Sequence, residues 1–246
     1  MNIAPIILNE SNPIPLYVPS AMANEFNFFK KTNPTLAYTK IVDSPMQLAE
    51  RLIPFLQDIE SGFFIETGAN NGVFQSNTLF LEKAFNWKGI LIEPNKNSYE
   101  QCKVFRPNSL VLNYALVEDD NINEIEGYFA GKSPEDSLTG KIVGSDNGIN
   151  KEQEKIKVRA TTLTKILEAH KVQNIDFFSL DVEGYEKQVL DGLDFRKWQP
   201  KLICLEALER EKFWKIKQKL GDFGYIMLAQ LTKHDFLFKH AFRKTI

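Results

Sequence analysis

From residue 44 onward, short apolar runs alternate with segments whose apolar residues recur at helical spacing. The stretches 63–65, 89–92, 109–112, 175–180 and 202–205 are almost wholly apolar, as strands buried on both faces of a parallel sheet are. Between them, Leu48, Leu52, Phe55, Leu56 and Ile59 share one helical face. Helices are also predicted over 76–85, 99–105, 162–171 and 209–220, and around Val189, Leu190 and Leu193. Ser44-Pro45 reads as an N-cap with a first-turn proline, Pro54 predicts a kink, and Gly221 closes the last helix. Strands alternating with helices imply an α/β fold, with parallel order and right-handed crossovers. Segments 225–229 and 236–238 are expected as an antiparallel pair at the sheet edge.

Two regions break the pattern. Residues 1–43 carry Pro5, Pro13, Pro15, Pro19 and Pro34 without a period, and read as an N-terminal extension ahead of a domain spanning 44–246. It would pack on that domain or on a partner subunit. Strands at 125–130 and 155–159 flank a polar, glycine-rich stretch at 131–150, the composition of a lid or binding loop.

Composition narrows the class. Of 246 residues, 43% are hydrophobic and 25% charged, and the formal net charge is −2 with no polybasic tract. That balance supports a sizeable core and no contact with nucleic acid or an anionic membrane. Lys212, Lys215, Lys217 and Lys219 read as a solvated helix face. No run approaches the roughly 18 apolar residues of a membrane helix, and the first ten residues lack a basic leader. Cys102 and Cys204 are expected as buried thiols in a reducing compartment, so a cytoplasmic protein is expected.

The candidate chemistry sits at strand ends. Phe63-Phe-Ile-Glu-Thr-Gly-Ala-Asn-Asn-Gly72 is a strand running into a glycine loop, and Gly89-Ile-Leu-Ile-Glu93 ends in a second acid. This is the layout of a nucleoside-binding unit, in which the second acid accepts from ribose hydroxyls. A carboxylate before the glycine loop would repel a pyrophosphate but suits the cationic tail of S-adenosylmethionine. A nicotinamide dehydrogenase fits less well, because its G-x-G-x-x-G loop takes a pyrophosphate.

Glu66, Glu93, Asp181 and Glu206 each end an apolar run, and strand ends of a parallel sheet converge on one cleft. Each acid also has a plain structural role open to it. Glu66 could cap the next helix, Glu93 before Pro94 could lie on the surface, and Asp181 and Glu183 beside Gly184 could satisfy a helix start. The three histidines are His170, His234 and His240, and of these His234 alone is placed to swing in as a base. A carboxylate base would need its pKa raised by burial and neighbouring acids. Alternatively, a divalent metal held by Asp181 and Glu206 would acidify the acceptor.

Ile65-Glu-Thr-Gly-Ala-Asn-Asn-Gly72, Ser76-Asn-Thr-Leu-Phe-Leu-Glu82, Ile92-Glu-Pro-Asn95, Ser179-Leu-Asp-Val-Glu-Gly184 and Glu186-Lys-Gln-Val-Leu190 together resemble the FkbM-type methyltransferases, in order, over residues 61–206. Ser137-Leu-Thr-Gly140 resembles a loop of the same family. This chain departs in Glu66-Thr67, where that family more often has Asp and an aliphatic residue. The resemblance implies a Rossmann-like class I methyltransferase fold, a seven-stranded mostly parallel sheet with helices on both faces. It implies S-adenosylmethionine as cofactor, bound through Glu66, Thr67, Gly68, Asn70, Gly72, Glu93, Pro94 and Asp181, with Asn113 to Ala115 near the adenine. Asp181 and Glu183 would face the transferred methyl, with Glu206 and His234 as lesser catalytic candidates. O-methylation of a sugar, glycan precursor or secondary metabolite would follow, in a protein that could be a homodimer. A non-catalytic scaffold retaining the fold is the alternative from another class.

Overall fold

The computed structural model describes residues 2–3, 5–7, 13–15, 42–43, 48–73, 75–129, 141–142 and 154–242. The expected helix start at Ser44-Pro45, most of the N-terminal extension and most of the 131–150 loop lie outside them.

Eleven strands are labelled here in chain order: β1 (Phe63–Thr67), β2 (Lys88–Ile92), β3 (Leu110–Leu112), β4 (Ala115–Leu116), β5 (Glu124–Phe129), β6 (Lys141–Ile142), β7 (Glu154–Thr161), β8 (Phe177–Leu180), β9 (Leu202–Glu206), β10 (Tyr225–Gln230) and β11 (Asp235–His240). The helices are α1 (Leu48–Leu56), α2 (Leu79–Ala84), α3 (Lys96–Phe105), α4 (Leu163–Ala169), α5 (Glu186–Asp191) and α6 (Arg210–Asp222). Short ribbons pair Asn2–Ile3 with Val42–Asp43 and Pro5–Ile7 with Pro13–Pro15.

Seven strands form one sheet in the order β10-β11-β9-β8-β1-β2-β3. Five adjacent strands of that order, β9, β8, β1, β2 and β3, run parallel, whereas β11 is antiparallel to both β9 and β10. Seven strands, mostly parallel, with helices on both faces are what the sequence leads one to expect. The expected antiparallel pair stands at the sheet edge, with β10 outermost and β11 between it and β9.

Side-chain alternation along the strands sorts the core into two layers. Phe64, Leu91, Phe177, Leu202, Cys204 and Leu237 pack with α1, α2 and α3. Their neighbours Ile65, Ile90, Phe178, Ile203 and Leu205 pack with α4, α5 and α6. A strand buried on both sides must be apolar at consecutive positions, which is why these runs do not alternate. Both cysteines are free thiols and buried.

Local signals start the helices. The Asn95 side chain accepts from the Asn97 and Ser98 amides at the head of α3, and Thr162 accepts from Lys165 at the head of α4. Pro54 sits inside α1, which ends two residues later. Gly221 does not close α6, which continues to Asp222, and the left-handed turn comes at Gly224.

A second sheet, β6-β5-β7-β4, stands beside the first. The described part of the expected lid, β6, adds a strand to the edge of β5, where Lys141 pairs with Tyr128. In the main sheet, strand order reverses between β1 and β8. Ligands of such sheets bind outside the carboxyl ends of the strands at that reversal.

Candidate active site

Two segments meet at the reversal, the glycine loop after β1 and the turn after β8. The Gly68 and Ala69 amides donate to the Ile92 carbonyl, folding the loop back over β2. Gly68, Asn70 and Gly72 all have left-handed backbones, with φ of 71°, 49° and 77°. Gly68 passes so close to β8 that a Cβ there would lie 1.8 Å from the Asp181 carbonyl oxygen. A glycine is required at that point on both counts.

Glu93 lies buried beneath this loop. Its Oε2 accepts from the Asn70 amide at 2.8 Å and its Oε1 from the Asn95 amide at 2.7 Å. Each carboxylate oxygen therefore has one backbone donor and keeps lone-pair capacity for a ligand hydroxyl. Burial raises the Glu93 pKa to about 7 against the pull of those two amides. Asn113 donates through Nδ2 to the carbonyls of Glu93 and Pro94, tying the end of β3 to that of β2.

Several expected ligand contacts turn out to be internal. Glu66 lies on the same face as Phe64, so its carboxylate points under α2 and α3. Its Oε2 accepts from the Ser76 and Thr78 hydroxyls and its Oε1 from the Asn77 amide. The carboxylate expected to meet a cationic tail instead shapes the loop. Thr67 donates to the Ser179 carbonyl, another internal tie. Ala115 lies in β4 and pairs with Ala160 of the second sheet.

Arg106, at the C-terminus of α3 and wholly buried, holds this under-layer together. Its Nε donates to Glu82 at 2.7 Å, Nη1 to the Gly72 carbonyl and Ser76 hydroxyl, and Nη2 to the Thr78 hydroxyl. Its Nη1 is also 3.8 Å from Glu66. The sequence gives no local sign of this role, because Arg106 follows an ordinary amphipathic segment and its partners lie 24 to 34 residues away.

The second group of residues is acidic. Among the described residues, Asp181, Glu183 and Glu206 bring one carboxylate oxygen each within 4.8 Å of one another. Asp235 joins them through its pairing with Glu206 across β9 and β11. It is a site residue that strand-end reasoning missed, because in an antiparallel strand the first residue, not the last, reaches the cleft.

Burial, then the charges of Glu206, Glu183, Glu186 and Asp235, push Asp181 up. Burial first, then Glu183, Asp235 and Glu186, push Glu206 up to about 8 despite a hydrogen bond with Asp181. Such crowding is relieved by a shared proton or by a cation. His234 is half-buried beside the cluster, with its carbonyl accepting from the Ala207 amide, and burial pushes the neighbouring Asp235 carboxyl up. His170 is exposed past α4, and His240 packs edge-on against Tyr225.

These raised values carry a stability consequence. A carboxyl whose folded pKa exceeds its unfolded one stabilises the fold below the unfolded value, and that contribution is lost as pH rises through the folded value. For Glu93, from 4.5 to about 7, the difference corresponds to about 3 kcal/mol. The ligand-free protein should therefore melt at a lower temperature at pH 9 than at pH 6, and Glu206→Gln should flatten the slope. A midpoint that is level or rises across that range contradicts the burial of these acids as charges.

Residues 66–238 match the methyltransferase FkbM domain. Among solved structures, the chain is similar to the methyltransferase FkbM from Methylobacillus flagellatus KT, at 14% identity and a TM-score of 0.47, over 75% of this chain and 45% of that one. It is also similar to a methyltransferase from Pyrococcus furiosus, at 15% identity and a TM-score of 0.41, over 90% and 99%. A third is the precorrin-6y C5,15-methyltransferase from Geobacter metallireducens GS-15, at 11% identity and 0.41, over 76% and 85%. No curated protein matches the chain. No helix among the described residues is long and apolar enough to cross a membrane.

Proposed function

The chain belongs to the FkbM methyltransferase family and has its Rossmann-like class I fold, and we propose that it moves the methyl group of S-adenosylmethionine to a hydroxyl of a sugar, glycan precursor or secondary metabolite. The observation that carries this is Glu93, a buried carboxylate fixed by two backbone amides under a glycine loop. It presents an acceptor for two neighbouring ribose hydroxyls, and Gly68 and Asn70 let the backbone approach the nucleoside.

When bound, S-adenosylmethionine supplies a methyl group activated on a cationic sulfur. The protein then has to align an acceptor oxygen and take up one proton. The Asp181–Glu206 pair is suited to the second task, since a carboxyl with a pKa of about 8 is a competent base near neutral pH. The ionised member of the pair would take up the acceptor O–H proton, while the methyl carbon–sulfur bond that breaks would leave its electron pair on the departing S-adenosylhomocysteine. The acidic cluster favours a neutral or cationic acceptor over an anionic one.

Calorimetric titration with S-adenosylmethionine tests the cofactor. The parent should bind, and Glu93→Ala should lose about a hundredfold in affinity, the loss expected for two hydrogen bonds to a charged group. Failure of the folded parent to bind would sink the proposal and favour a scaffold. The pH dependence adds a second check. Ribose hydroxyls need the ionised form of Glu93, so affinity should rise about tenfold from pH 6 to pH 8. Glu93→Gln should lose that rise.

The carboxylate trio, with oxygens within 4.8 Å, also has room for one divalent cation, which would acidify the acceptor hydroxyl instead. Transfer that EDTA abolishes and Mg²⁺ restores would favour that route.

A further inference from the structure

We propose that Glu186 and Lys212 are positioning residues, which clamp the turn after β8 and so hold Glu183 within the carboxylate cluster. This rests on the functional reading above, in which the cluster serves the acceptor.

The turn needs a clamp. Glu183 has φ of 54° and Gly184 φ of 97°, two consecutive left-handed residues. For glycine that conformation is free of strain, but for glutamate it is disfavoured and persists only where surrounding contacts enforce it. It also sets Glu183 against Asp181 and Glu206, where like charges repel. Left to itself, the turn would relax on both counts.

Two side chains oppose that relaxation. Glu186 is buried, and its Oε1 accepts from the Val182 amide at 3.2 Å and the Gly184 amide at 3.0 Å. It thus binds the residues on either side of Glu183. From the opposite direction, Lys212 of α6 donates through Nζ to the Gly184 carbonyl at 3.1 Å. Lys212 belongs to a lysine-rich segment whose sequence suggests a solvated face, yet it reaches inward to this turn. An acid in the first turn of a helix commonly serves only that helix. Here, beside its own amide, the carboxylate accepts from two amides that precede α5, so it acts on the turn as well as on the helix start.

Because Asp181 precedes the clamped residues and Glu183 lies between them, the clamp fixes where both carboxylates point. Glu186 and Lys212 hold the turn on either side of Glu183, whereas Glu93 is held by the amides of Asn70 and Asn95. Their loss should therefore disperse the cluster while leaving Glu93 in place.

The test compares crystal structures and S-adenosylmethionine titrations of the parent, Glu186→Gln, Glu186→Met, Glu186→Ala and Lys212→Met. In Glu186→Ala, residue 183 should leave the left-handed region and its carboxylate should withdraw beyond 4.8 Å from those of Asp181 and Glu206. Affinity for S-adenosylmethionine should fall by less than in Glu93→Ala, since Glu93 and its two amides stay in place. Glu186→Gln should keep the turn, since its amide oxygen can accept from the same two amides. Glu186→Met, which keeps the volume but cannot accept from the two amides, should lose the turn as Glu186→Ala does, whereas a purely packing role would survive it. Should Glu186→Ala fail to fold, Lys212→Met reads the same displacement through the other clamp. A left-handed residue 183 and an intact cluster in whichever of the two folds would overturn the proposal. The parent titration stands apart: no binding there would count against the cofactor assignment, and not against the clamp.

Discussion

Replacing Arg106 with methionine should lower the stability of the fold by about 3–5 kcal/mol, the loss seen when one partner of a buried ion pair is removed. The side chain is wholly buried, and its donors reach Glu82, the Gly72 carbonyl, Ser76 and Thr78. Methionine fills much of the volume but satisfies none of those acceptors. Glu82 keeps Lys83 at 2.6 Å, whereas Glu66 keeps only neutral donors for its buried charge. In a chain of this size the thermal midpoint should fall on the order of 10 °C. Adding Glu66→Gln should recover part of the loss, since it removes the charge left without a cation. A single variant within about 1 kcal/mol of the parent would mean that the under-layer does not depend on this cation.

Gly68→Ala should have the second large effect, on binding and stability together. The new Cβ would lie 1.8 Å from the Asp181 carbonyl oxygen, at a φ of 71°. The obstacle is backbone at the end of a central strand, so no rotamer change relieves it. Either the glycine loop or the turn after β8 must move by more than an ångström. Affinity for S-adenosylmethionine should drop by more than tenfold, with a cost of about 2–4 kcal/mol from strain and displacement. Gly221→Ala is the matching control, because its Cβ would meet nothing within 4 Å and it lies in α6. That change should be neutral or stabilising by about 0.5–1 kcal/mol. Equal effects at the two glycines would remove the steric basis for assigning Gly68 to the site.

What the sequence made legible follows from how local each signal is. The five parallel strands are continuous apolar runs, and Asn95 and Thr162 mark helix starts by the hydrogen bonds their side chains accept. Glu93 could be read because it ends such a run and precedes a proline. Glu66 ends its run in the same way and points to the same layer as Glu93, but it stands level with Leu91, two positions short of Glu93, where Ser76, Asn77 and Thr78 close over it as a buried strut. Arg106 and Asp235 were invisible for different reasons. The partners of Arg106 are distant in sequence, and Asp235 begins an antiparallel strand, whose direction no local pattern discloses. Glu186 stood inside a recognisable motif, but its partners are backbone amides, which leave no trace in side-chain spacing.

The placement of β11 inside the sheet has a consequence for the order of assembly. The glycine loop, Glu93 and Arg106 all lie within the first 106 residues, yet the loop rests on the Asp181 backbone and β1 pairs with β8. Asp235 belongs to the final strand, and it reaches Glu206 only when the C-terminal hairpin docks against β9. A domain folds as a unit, so the mutual repulsion of the carboxylates is met only when the last strand closes the sheet around them.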